Sequence, residues 1–329
     1  MSFWNNLFKK RAEDWFYCHV PPDQTPNDIT IKELQPDVDY LNVFLKKMRV
    51  VSVRKGLSKF YGAVHSYCNL YHPSGVNAEF NVVTTASKLM ELDAKNIDRV
   101  VSMDQRMVGP TAYKGGDFDM EIGLFSIKSA DLAKPYLGLL QEASTMAGVS
   151  FIGTALPYAG IIKKGVDLIT GSQADTILEI GLSKTFATIK TGYYVVMRID
   201  KDKVNQKDIF IDKDSRLVDR NGKAIKDYPY IVIQISGTNE KDDWARIPEL
   251  QEAYKKLMDD VRKLDFTSSE DSLTVFRRTV LTSNDLNFND AKRIVKQVQD
   301  KVKEILDTTQ VAHNTSAELP SLESYNIYA

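Results

Sequence analysis

Hydrophobic residues in much of this chain recur at every second position, which is the period of a β-strand. The runs with this character before residue 129 are 39–53, 61–71, 78–85, 99–107 and 118–128. Glycine and proline turns separate them, and the pattern returns in residues 176–182, 192–199, 209–211 and 228–236. The dipeptide Asn221-Gly222 predicts a tight hairpin turn within the second set. Many short strands at this spacing predict an antiparallel, β-sandwich-like body.

Two parts of the chain follow a helical pattern instead. Residues 129–172 predict an apolar helical pair, divided at Gly148, that interrupts the β pattern as an insertion. Beyond residue 240, apolar residues recur at spacings of three and four, which predicts C-terminal helices. Ser268 and Asp271 resemble a capping pair at the start of a helix that lies between two helices with clear apolar stripes. The stripes are Ile247, Leu250, Tyr254, Leu257, Val261 and Leu264 for one helix, and Ala291, Val295, Val298, Val302 and Ile305 for the last.

The first 17 residues predict an amphipathic helix, because Trp4, Phe8, Ala12 and Trp15 recur at spacings of three and four. A proline-containing linker follows, so this helix is expected to form an arm outside the main body. The predicted organisation is an arm and linker (1–28), a β-rich domain (29–240) with the insertion 129–172, a helical subdomain (241–308) and a flexible tail (309–329). The predicted fold class is α+β.

The charge and the cysteine content of the chain argue against several classes of function. The 43 basic and 44 acidic residues nearly cancel, so no nucleic-acid partner is expected. Two cysteines cannot build a disulfide framework or a multi-cysteine zinc site. The N-terminus turns polar after four residues and lacks the apolar core of a signal peptide. These features predict a reducing, cytoplasmic compartment.

No catalytic, cofactor or metal site is predicted. The four histidines form no paired-ligand motif. Cys68 lies three residues from His65 on a predicted strand, and an odd separation places the two on opposite faces. We therefore interpret Cys68 as a buried, inert thiol. The acidic runs 200–202 and 212–219 lack the glycine and glutamate of a calcium loop, and are interpreted as charged hairpin turns.

The leading functional hypothesis is a non-enzymatic adaptor or assembly protein that binds another protein, or a second copy of itself. Its contacts would run through the C-terminal helices or the aromatic arm, since exposed aromatic residues on an amphipathic helix suit a groove in a partner. The candidate arm residues are Phe3, Trp4, Leu7, Phe8 and Trp15.

Two alternatives come from other function classes. The apolar insertion 132–169 is also compatible with a membrane-active, pore-forming effector, because small residues between apolar ones permit helix packing in lipid. The residues that would enter the bilayer are Phe151, Ile152, Leu156, Tyr158, Ile161 and Ile162. An enzyme of unrecognised type would instead need a polar cleft around His65 or the acids of 200–219.

Overall fold

The computed structural model describes residues 15–26, 30–51, 54–55, 58–73, 75, 77–83, 100–128, 176–199 and 203–315. The chain divides into two units, Met1–Lys241 and Asp242–Ala329. The described part of the first unit is built from antiparallel strands, and that of the second from three α-helices. The α+β class is therefore confirmed, whereas the predicted helical insertion 129–172 lies outside the described residues.

The β-rich unit contains two five-stranded antiparallel sheets and a short ribbon. The first sheet has the order β1-β9-β12-β2-β6, and the second has the order β3-β4-β7-β8 with β5 beside β4. The ribbon pairs β10 with β11. The strands are β1 (Trp15–His19), β2 (Tyr40–Arg49), β3 (Arg54–Lys55), β4 (Ser58–Leu70), β5 (Ala78–Val83), β6 (Val100–Ala112), β7 (Phe118–Lys128), β8 (Thr176–Phe186), β9 (Gly192–Arg198), β10 (Phe210–Ile211), β11 (Leu217–Val218) and β12 (Tyr230–Thr238).

The first sheet is buried on both faces along β9 and β12. One hydrophobic cluster joins it to the second sheet, and Tyr194 and Val196 of β9 belong to this shared core. The intervening Tyr193 and Val195 point to the other face, into a separate cluster that includes the β10–β11 ribbon. A strand with two buried faces needs apolar residues at successive positions, which explains its continuous apolar run.

Strand β2 contains a β-bulge at Lys46. Its neighbours Leu45 and Lys47 pair with the adjacent residues Ile233 and Val232 of β12, so Lys46 is the extra residue. A bulge shifts the alternation of side chains along the rest of the strand. Lys47 therefore shares a face with Val232, on the side of the first sheet that carries the ribbon.

The second unit contains α1 (Pro248–Arg262), α2 (Phe266–Thr282) and α3 (Phe288–Thr315). The predicted stripe of α1 supplies the buried Leu250, Leu257 and Val261, which pack with residues of α2 and α3 in one cluster. The capping pair predicted at Ser268 and Asp271 is wrong. The α2 helix begins three residues earlier, where the Asp265 carboxylate accepts a hydrogen bond from the Ser268 backbone N–H.

Two predicted boundaries also need correction. Trp15–His19 is strand β1, paired with β9 from Arg198 to Tyr194, so the predicted N-terminal helix cannot extend to residue 17. The tail was predicted to begin at residue 309, but α3 continues to Thr315. Residues 1–14 and 316–329 lie outside the described part of the chain.

Candidate functional site

The helical unit carries a groove of about 690 Å³ along α1. Its α1 residues share one face of the helix because they recur at spacings of three and four. Ala245 and the α3 residue Lys301 complete the lining. The α1 residues that line the groove on this face and beside it are Pro248, Gln251, Glu252, Tyr254, Lys255, Met258 and Arg262.

Tyr254 is held rigidly in the groove wall. Its ring meets Trp244 edge-on with 5.5 Å between the ring centroids, and its centroid is 5.9 Å from that of Phe276. Lys301 Nζ donates a hydrogen bond of 3.0 Å to the Tyr254 hydroxyl. A fixed aromatic ring offers apolar contact area without a further loss of side-chain entropy on binding.

The rim of the groove is positively charged. Among the lining residues, three are cationic (Lys255, Arg262 and Lys301) and one is anionic (Glu252). Arg262 donates to Asp259 at 3.1 Å, whereas Lys255 is exposed and forms no ion pair with another described residue. Apolar surface between exposed cations fits an anionic, partly apolar ligand.

A second, smaller pocket of about 350 Å³ lies in the β-rich unit. The pocket forms where β2 and β6 pair irregularly, beside the loop between β10 and β11. In β6, Asp104 adopts a positive φ of 43°, and its carboxylate pairs with the Lys46 ammonium. The lining residues are Lys46, Lys47, Asp104, Lys213, Asp214, Ser215 and Arg216.

The loop at the pocket is fixed by its own first aspartate. Asp212 Oδ1 accepts hydrogen bonds from the backbone N–H groups of Asp214 and Arg216, at 3.0 and 2.8 Å. Asp219 holds the next turn in the same way, through the N–H groups of Asn221 and Lys223. The interpretation of Asp212 and Asp219 as hairpin-turn acids is therefore confirmed, and Asn221-Gly222 forms the predicted turn with a φ of 75° at Gly222.

Lys47 is the most buried of the charged residues that line this pocket. Only 9% of the residue is exposed, and it forms no hydrogen bond or ion pair with any described residue. Burial lowers the pKa of Lys47, an effect that Asp214 and Asp212 oppose and that Arg216 and Lys46 reinforce. The sequence offered one signal for this site, the Lys46-Lys47 pair inside a largely apolar strand.

Most of the sequence-predicted site residues lie outside the described part of the chain. This holds for Phe3, Trp4, Leu7 and Phe8 of the arm and for the membrane-active candidates Phe151, Ile152, Leu156, Tyr158, Ile161 and Ile162. The side chain of Trp15 is likewise outside it, although its backbone pairs with Arg198 in the first sheet. The acids at 200–202 also fall outside.

Cys68 is fully buried in the core shared by the two sheets, as predicted. Burial raises the pKa of its thiol, with a smaller contribution from Glu121, so the thiol stays protonated at neutral pH. His65 lies in β4, where its backbone pairs with Val83 and Gly123, and its side chain is outside the described set.

Two features are absent from the part of the chain that the structure describes. No helix among the described residues combines the length and the apolarity that crossing a membrane requires. No group of three or more His, Cys, Asp or Glu side chains in that part of the chain is arranged to hold a metal ion. Comparison of the chain with protein-family models, with curated proteins and with solved structures finds no match.

Proposed function

We propose that this protein is an interaction protein whose helical unit binds an acidic, partly apolar segment of another protein. The groove along α1 carries the proposal, because it combines apolar lining residues with a rim of excess positive charge. Tyr, Met and Arg side chains are enriched at protein interfaces, and Tyr254, Met258 and Arg262 line this groove. Recognition would follow the helix-in-groove mode, with an apolar side chain of the partner between Tyr254 and Met258.

The charge of the rim determines which partner chemistry is favoured. A basic segment would bring its cations against Lys255 and Lys301, which disfavours association. An acidic segment would place a carboxylate beside Lys255, an exposed rim cation that forms no ion pair with another described residue. Such rim charges contribute mainly to association rate and to choice of partner.

Charge reversal at adjacent positions tests the proposal. Lys255 lines the groove, and its neighbour Lys256 is an exposed α1 residue outside the lining. We expect Lys255→Glu and Met258→Glu to lose a partner that tagged wild-type protein captures from its own cells, and Lys256→Glu to retain it. Quantitative mass spectrometry measures the amount of each protein captured by each variant. The partner that Lys256→Glu retains should carry an acidic segment, and a synthetic peptide of that segment should bind the wild-type protein.

Capture that is equally strong with Lys255→Glu and Lys256→Glu would contradict the groove as the binding site. The N-terminal arm stays part of the proposal as a second contact, supported by its aromatic pattern alone. Deletion of residues 1–14 tests it without removing β1, which begins at Trp15. Unchanged capture by that variant would eliminate the arm.

The proposal has two further parts. A β-sandwich arrangement of the first unit is supported by the single core that its two sheets share. A cytoplasmic location is supported by Cys18 and Cys68, two buried thiols that form no disulfide. The yield of folded protein, compared between expression in an oxidising and in a reducing compartment, tests this part. Free thiols suit a reducing compartment, so the yield should be at least as high there.

A further inference from the structure

We propose that the pocket lined by Lys46, Lys47, Lys213 and Arg216 binds a small phosphate monoester through its phosphate group. The site belongs to the β-rich unit and is independent of the groove along α1. A volume of about 350 Å³ is near the lower end of the range of small-molecule sites. The pocket therefore fits a phosphate with a short substituent.

The side chain of Lys47 is the first argument. The residue is more than nine-tenths buried, lines the pocket, and has no hydrogen-bond or ion-pair partner within the described part of the chain. The stem of Lys47 is buried while its ammonium faces the pocket, and the Asp212 and Asp214 carboxylates act on it without forming a direct ion pair. A partly desolvated cation is stabilised by an anion that contacts it directly. A bound anion would supply the missing partner.

The aspartates of the pocket do not supply it. Asp104 is paired with Lys46, and Asp214 accepts a 3.0 Å contact from Arg216 Nη2. Asp212, just outside the lining, holds Arg216 Nε at 2.7 Å and the loop backbone as well. These pairings leave Lys47 on one wall and Lys213 on the loop as the cations that a ligand can engage.

The arrangement of these cations favours phosphate over carboxylate. A planar carboxylate is matched best by the two-pronged guanidinium of arginine. The guanidinium of this pocket already contacts Asp212 and Asp214. Two lysines from different elements act as separate point charges, which suits a tetrahedral group with charge on several oxygens.

The β2 bulge explains how such a site can exist in a sheet. Successive side chains of a regular strand point to opposite faces, so Lys46 and Lys47 could not both line one pocket. The extra residue at Lys46 removes that restriction. Bulges that redirect side chains are common next to functional sites.

Isothermal titration of the full-length protein in phosphate-free buffer tests the proposal, with inorganic phosphate, glycerol 3-phosphate and acetate as ligands. We expect one saturable site for both phosphate ligands and none for acetate. Lys213→Gln should weaken binding about tenfold, as loss of one charged contact does, and Lys47→Met should abolish it. Lys223→Gln is the control, because Lys223 is an exposed lysine of the neighbouring Asp219 turn and lies outside the pocket lining.

Several results would overturn the proposal. These are the absence of saturable binding of either phosphate ligand, equal binding of acetate, or equal weakening by Lys223→Gln and Lys213→Gln. Binding of inorganic phosphate without glycerol 3-phosphate would eliminate the monoester. If circular dichroism shows Lys47→Met to be misfolded, Lys213→Gln alone decides, because Lys213 is exposed on a loop.

Discussion

Lys47 illustrates how one extra residue changes the chemistry of a strand. Leu41, Val43 and Leu45 of β2 face the shared core at every second position, and the next core residue is Met48. Without the bulge, the alternation would continue to Lys47 and place its ammonium between the sheets. The bulge moves this side chain to the opposite face, where a polar pocket receives it.

The partial desolvation of the Lys47 ammonium is expected to cost stability. We predict that Lys47→Met raises the free energy of unfolding at pH 7 by about 0.5–2 kcal/mol, because methionine keeps the length without the charge. The folded-state pKa of Lys47 lies below its ordinary value. The cost is therefore present below that lowered pKa and disappears as pH rises towards about 10.5, the value in an unfolded chain.

Urea unfolding of both proteins at pH 7 and pH 10, in phosphate-free buffer, measures this difference. The stability gap should narrow at the higher pH. A variant that is less stable than wild type at pH 7 would contradict the account of Lys47 as a partly desolvated charge without a direct ion pair.

Individual elements differed in how far the sequence predicted them. Strands β7 and β9 were predicted closely because alternating or doubly buried residues continue to their ends. Strand β1 was missed because Trp15 also fits a helical spacing with Trp4 and Phe8, and only its pairing with β9 distinguishes the two. The α2 start was misplaced because Asp265 and Ser268 are both acceptable caps in sequence.

Neither candidate site could be derived from local patterns. The pocket joins residues about sixty and 170 positions apart along the chain, through Lys46, Asp104 and Asp214. The groove depends on Lys301 of α3 closing the wall of α1. What the sequence did predict is the helical period that places Lys255 and Met258 on one face of α1.

The close approach of β6 to β2 makes a prediction at Gly109. This residue has a φ of 89°, and a Cβ added there would lie 2.0 Å from the Leu41 carbonyl oxygen. We predict that Gly109→Ala lowers the free energy of unfolding by about 3 kcal/mol or more, from backbone strain together with the clash. Gly222→Ala has a similar φ but open space, and should lose only about 1 kcal/mol.

Chemical denaturation of the two glycine variants distinguishes the effects. Equal losses of stability would mean that backbone conformation alone matters and that β6 can move away from β2 without cost.

At the scale of the whole molecule, the chain has two units with separate hydrophobic cores. The described residues from Ile247 to Val302 that form the helical core include none from the sheets. Trp244, Tyr254 and Phe276 add an aromatic cluster to the same unit, with centroid distances of 5.5 to 5.9 Å. A separate core of this kind is what independent folding requires.

We predict that residues 242–329 fold when expressed alone. Circular dichroism should show a helical spectrum and a cooperative thermal transition. Phe276→Ala should remove that transition, because loss of a fully buried phenylalanine costs about 3–5 kcal/mol, which is comparable to the whole stability of a small unit. A helical unit that melts without a transition in wild-type form would contradict independent folding.

The measurement that tests the protein-binding groove most directly is the affinity of the captured partner's acidic segment for residues 242–329. Fluorescence anisotropy with a labelled peptide gives the Kd for wild type, Lys255→Glu and Lys256→Glu. We predict a Kd for Lys256→Glu within about twofold of wild type and at least about tenfold weaker binding for Lys255→Glu. Equal affinities for the two variants would contradict the assignment of the groove as the binding site.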